Sequence, residues 1–168
     1  MADDESDVER FSRLLAWSYR AEIAGEALFA ELAVGFEATG HRALLEDLAE
    51  VERLMADALR PALHRYGVDG GDDERSRAQG RANAALAIED GWDTFLARFD
   101  PITEAALAKY VELRSLCERQ DPVWDLLIAH EEALQVVGRI LSGDGGGDAQ
   151  APVNVLLERL RAHAAAPA

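Results

Sequence analysis

The chain has 168 residues, about half of them apolar, with 32 Asp and Glu against 17 Lys and Arg for a net charge of −15. That length suffices for one domain burying about 68–70% of its unfolded surface. So acidic a balance argues against a nucleic-acid partner or an anionic membrane surface, which are held by basic patches, and a single cysteine, Cys117, excludes an internal disulfide and a Cys-rich metal site.

Alanine and leucine dominate over valine and isoleucine, and no alternating run of period two occurs, so the expected fold class is all-α. Residues 1–6 read as an acidic, disordered start. The amino-terminal segment lacks a basic region followed by an apolar run, and no stretch approaches the ~18 apolar residues of a membrane span, so the expectation is a cytoplasmic protein without membrane contact.

The first helix is expected from Ser6 or Asp7, either able to cap it, to about Ala38, with Thr39 and Gly40 as the stop. Its apolar stripe runs Phe11, Leu15, Ser18, Glu22, Gly25, Glu26, Phe29, Leu32, Ala33 and Phe36 at spacings of three and four. Two carboxylates thus occupy positions meant for apolar side chains. An ionised carboxylate in a helix interface costs several kcal/mol unless it is paired, neutralised or bound to a metal.

A second helix, from about His41 to Tyr66, carries Leu45, Leu48, Met55, Leu59 and Leu63 on one face, with Glu52 on the same line. Pro61 removes the hydrogen bond to the Asp57 carbonyl and predicts a kink or a separate final segment. Gly67–Ser76 reads as an acidic loop without the order of a calcium loop. A third helical region spans about Arg77 to Arg119, with breaks predicted near Gly91 and at Asp100-Pro101, where Asp would cap and Pro would open a new helix.

The fourth helix opens on the same device, Asp121-Pro122, and runs to about Leu141 with Val123, Leu127, His130, Leu134 and Val137 on one face. Residues 143–151 read as a flexible linker and residues 152–165 as a short helix capping the bundle. An up-down bundle of the four long regions brings Glu22, Glu26, Glu52 and His130, each about halfway along its helix, to one level of the core. Carboxylates and imidazole converging in a bundle interior are the donor set of iron, manganese and zinc sites.

Ala24-Gly25-Glu26-Ala27, continuing to Phe29 and Glu31, resembles the first-helix motif of the ferritin-like superfamily, especially its rubrerythrin-type Gly-Glu form. Glu52 to Ala56 is similar to the second-helix Glu-x-x-His-Ala, with Met55 in the histidine position. Leu127 to His130 is similar to the fourth-helix Glu-x-x-His, with Leu127 in the glutamate position. No acid of the third region matches the bridging position. The resemblance implies a ferritin-like up-down four-helix bundle with an added C-terminal helix, with Glu26, Glu52 and His130 as metal ligands. Glu22 is then either a fourth ligand or a base for bound water. The cofactor implied is iron, with manganese or zinc as alternatives, and the implied chemistry is oxidation of a small-molecule substrate with dioxygen. Glu131 is a further candidate, although neighbours on a helix project about 100° apart, so that both it and His130 are not expected to face one axis.

Two other accounts fit the same residues. In a degenerate bundle without metal, the acids would snorkel to water or pair with Arg20, Arg53 or Arg114, and the protein would act as a binding module or homodimer. In a ligand-binding protein, the helix breaks would open an aromatic pocket with Trp17, Trp92 or Trp124. His130-Glu131-Glu132 begins like a zinc-protease motif but lacks the second histidine, and His41, His64 and His163 are expected at the surface.

Overall fold

The computed structural model describes residues 5–117 and 121–166, so the start at residues 1–4 and the expected helix end at Arg119 lie outside the described residues. These residues form an all-α architecture of six α-helices: α1 (Asp7–Gly35), α2 (Arg42–Tyr66), α3 (Asp73–Asp90), α4 (Trp92–Ser115), α5 (Pro122–Leu141) and α6 (Gln150–Ala165). None of them is long and apolar enough to cross a membrane.

Ser6 starts α1 through a capping box. Its Oγ accepts from the Glu9 amide at 3.3 Å, and the Glu9 carboxylate accepts from the Ser6 amide at 3.0 Å, so two orphan donors are satisfied reciprocally. The helix ends at Gly35, three residues before the expected stop, and the chain closes through a 3₁₀ turn at Glu37–Thr39 before Gly40. α1 is buried on more than its predicted stripe: Leu14, Tyr19 and Ile23 are also in the core, because α1 packs against both α2 and α3.

Pro61 does not divide α2, which is helical throughout from Arg42 to Tyr66. Leu59, Ala62 and Leu63 on either side of it are buried, and that burial offsets the one backbone hydrogen bond lost. The predicted break at Asp100-Pro101 is likewise absent, and α4 runs through it. Proline's φ suits a helix, and Leu96 and Phe99 before it are buried in the same interface as Tyr110 and Leu113 after it. The true break lies at Gly91, whose φ of 90° is a conformation that side chains disfavour.

Two helices begin earlier than their sequence signals suggest. Asp72 caps α3, its carboxylate accepting from the amides of Glu74 at 2.9 Å and Arg75 at 3.3 Å, so the end of the acidic loop is itself the helix start. Asp148 accepts from the Gln150 amide at 2.9 Å as α6 opens, and Pro152 falls in its first turn, where no amide is needed.

α4 packs on α5, α6 lies across α2 and α5, and the α1–α4 and α2–α5 contacts join the halves around one core. That core includes Leu15, Leu32, Leu48, Met55, Leu113, Leu127 and Leu160. Its polar exceptions are concentrated where α1, α2, α4 and α5 meet.

Candidate metal centre

Glu22 on α1, Glu52 on α2 and His130 on α5 are buried, at 1%, 4% and 1% exposure, and each offers a ligand atom within 4.8 Å of the other two. Helical spacing explains their arrival: each replaces an apolar residue on the core-facing stripe of its own helix. His130 Nε2 lies 3.1 Å from Glu52 Oε1, a hydrogen bond in the tautomer that protonates Nε2. On the other side of the ring, Nδ1 is 3.4 Å from Glu22 Oε2, and neither of these two buried atoms has a hydrogen-bond partner.

Tyr110 of α4 completes the cluster, its hydroxyl donating to Glu22 Oε1 at 2.8 Å. Glu131 is also buried, at 3%, and borders the same cavity as His130. It does not join the three convergent ligand atoms, and adjacent residues on a helix project about 100° apart.

Gly25 makes room for the arrangement. A Cβ there would lie 2.6 Å from Glu52 Oε2, so the missing side chain is what lets the Glu52 carboxyl sit against α1.

Among the described residues no arginine or lysine pairs with the three buried acids. Arg53 pairs with Asp57 and Arg114 with Asp125, both at the surface, so the pairing expected of a degenerate bundle is not made by those residues. Burial therefore dominates the electrostatics. It lifts the Glu22 carboxyl well above the ordinary range, opposed by His130 and reinforced by Glu52. It pushes Glu52 up to about 8, opposed by the neighbouring Glu22 carboxyl, whose proton would favour the ionised form of Glu52. Glu131 is pushed up to about 7 by burial, opposed by His130, and the Tyr110 hydroxyl is held well above its usual value by burial and the neighbouring carboxyls. Burial without a compensating cation favours the protonated forms of these carboxyls.

Glu26 stands apart from this group. Its carboxylate accepts from Arg77 Nη2 of α3 at 3.1 Å and is partly exposed. One turn beyond Glu22, it is rotated about 40° further round α1, enough to face α3 instead of the core. The structure thus brings together Glu22, Glu52 and His130 of the residues predicted from sequence, and leaves Glu26 outside.

Sequence reasoning assigned Tyr110 no role at this site. A tyrosine in a core stripe needs a partner for its hydroxyl, and that signal was present. A cavity of about 370 Å³ adjoins the cluster, walled by Trp17, Leu28, Phe29, Phe99 and Leu134. Trp92 and Trp124 take no part in it: Trp92 stacks on His41, and Trp124 packs edge-on to Phe11.

The donor set fits a metal. His130 Nδ1 and Glu22 Oε2 are buried beside one another without a hydrogen bond between them, a pairing that a shared proton or a cation would satisfy. Nitrogen and oxygen ligands each about 2.1 Å from a tetrahedral ion lie roughly 3.4 Å apart, and the separation here is 3.4 Å. No protein-family model, curated protein or solved structure matches the chain.

Proposed function

We propose that the protein is a metal-binding helical bundle of ferritin-like type, in which Glu22, Glu52 and His130 hold one divalent ion beside a substrate cavity. The observation that carries this reading is the pair of unpartnered buried atoms, Glu22 Oε2 and His130 Nδ1, facing each other across 3.4 Å. Two carboxylates and one imidazole suit iron, manganese or zinc. Glu26, implied as a ligand by the resemblance, is replaced in this role by Glu22.

Bound iron would supply the oxidising chemistry with dioxygen that the ferritin-like resemblance implies. The chain's own residues set the conditions for it. Tyr110 fixes Glu22 by holding its Oε1, leaving Oε2 for the ion. Glu131, on the cavity wall with its carboxyl near 7, is suited to exchange a proton with substrate at neutral pH. Phe29, Phe99 and Leu134 exclude water from that side.

A second reading draws on the raised carboxyls: a metal-free bundle whose neutral, proton-sharing acids are structural, acting as a binding module or homodimer. Elemental analysis of protein purified without chelator, beside a Glu52→Ala, His130→Ala double variant, separates the two. The metal reading predicts one ion per chain that the variant loses. Protein free of metal, with unchanged melting on addition of Fe(II), Mn(II) or Zn(II), would establish the second reading.

A further inference from the structure

Among 17 cationic residues the chain contains one lysine, Lys109. It lies on the wall of the cavity beside the acid cluster, in the residue before Tyr110, with its ammonium 3.9 Å from the centre of the Trp17 ring. Among the described residues Lys109 makes no ion pair, whereas Arg10, Arg13, Arg42 and Arg53 all do. Among the described residues it is also the one lysine or arginine on the cavity wall. A partly buried ammonium resting on an aromatic face, in a chain with fifteen surplus acids, is a cation held back from the surface network.

The cavity is graded. Its outer wall includes the exposed Ile102 and the half-buried Trp17 and Lys109, and its inner wall is Phe29, Phe99 and Leu134 ahead of the buried acids. We infer that the cavity binds a small monocarboxylate with an aromatic or aliphatic body, its carboxylate at Lys109 and its hydrocarbon end toward the cluster. The orientation follows from charge: a carboxylate at the inner end would join three buried acids, whereas at the rim it meets the sole cation. The apolar walls favour a hydrocarbon body, and one ammonium without an arginine fork favours a single negative charge over a phosphate. A volume of about 370 Å³ holds roughly a dozen non-hydrogen atoms at ~30 Å³ each.

This inference goes beyond the metal reading and is tested without metal. Calorimetric titration of chelator-treated protein compares 4-phenylbutyrate with the uncharged 4-phenyl-1-butanol in the wild type, Lys109→Gln and Lys109→Arg. The carboxylate is expected to bind the wild type at least about ten-fold more tightly than the alcohol, as for a charge-assisted contact. The advantage disappears in Lys109→Gln and partly returns in Lys109→Arg, while alcohol binding stays unchanged in all three. Equal affinities of the two probes in the wild type, no binding of either, or a carboxylate affinity unaffected by Lys109→Gln would each overturn it. If the carboxylate binds only after Fe(II) or Zn(II) is restored, and independently of Lys109, it is a ligand of the ion and the metal reading stands without this one.

Discussion

Glu52→Gln isolates the electrostatic burden of the cluster. Glutamine preserves the shape of the side chain and an oxygen to accept from His130 Nε2, and Gly25 leaves it the same space. In the metal-free wild type the Glu52 carboxyl titrates near 8 in the fold and near 4.5 when unfolded. Below pH 4.5 it is protonated in both states and exerts no penalty. Between 4.5 and 8 the folded chain holds a proton that the unfolded chain has released, so stability falls as pH rises and levels off above 8. At pH 9 the loss from this one group amounts to about 5 kcal/mol, or roughly 10–20 °C in melting temperature for a domain of this size. Glu52→Gln should melt close to the wild type at pH 5 and well above it at pH 9, both in chelator. Parallel profiles from pH 5 to 9 would refute the claim that this carboxyl is buried without a compensating cation.

Tyr110→Phe removes the donor to Glu22 and should lower stability by about 1–3 kcal/mol, the cost of an unsatisfied buried acceptor, as read by urea unfolding at pH 7. Gly25→Ala sets two effects against each other: α1 gains up to about 1 kcal/mol in helix propensity, while the new methyl displaces the Glu52 carboxyl. Its stability should change little, and its affinity for Zn(II) should fall at least about 10–100-fold, because the displaced carboxyl is itself one of the proposed ligands. Glu26→Gln breaks only the partly exposed pair with Arg77, so it should cost no more than about 1 kcal/mol and leave metal content unchanged. Metal loss in Glu26→Gln would restore Glu26 to the ligand set implied by the ferritin-like resemblance.

The helices were legible because their signals are local. Ser6 and Asp121 each cap a helix through a side-chain oxygen, and the spacing of Leu45, Leu48, Leu59 and Leu63 marks a buried face whatever lies opposite. The two internal prolines misled because their local preference competes with burial on both sides, which no single segment reveals. The acids within apolar stripes pointed to the cluster, and three of the four residues singled out from the stripes do meet. Glu26 was misassigned because Glu22 and Glu26 lie on one face of α1 to within about 40°, and only the position of α3 with Arg77 decides which of them turns to the core. Lys109 and Tyr110 were not singled out from the sequence, although a sole lysine and a tyrosine at a core position are both unusual. Their meaning depends on the cavity that α1, α4 and α5 form together.

Titration of the metal-free protein with Zn(II) at pH 6.5, in two buffers of different ionisation enthalpy, tests the proposed centre most directly. Glu52, pushed up to about 8, holds a proton at that pH in the absence of an ion and must release it to become a ligand, and burial likewise favours the protonated form of Glu22. The account predicts one ion bound per chain, a buffer-dependent heat showing proton release, and loss of both in Glu52→Ala, His130→Ala. Absence of binding, or binding that persists in the double variant, would contradict it.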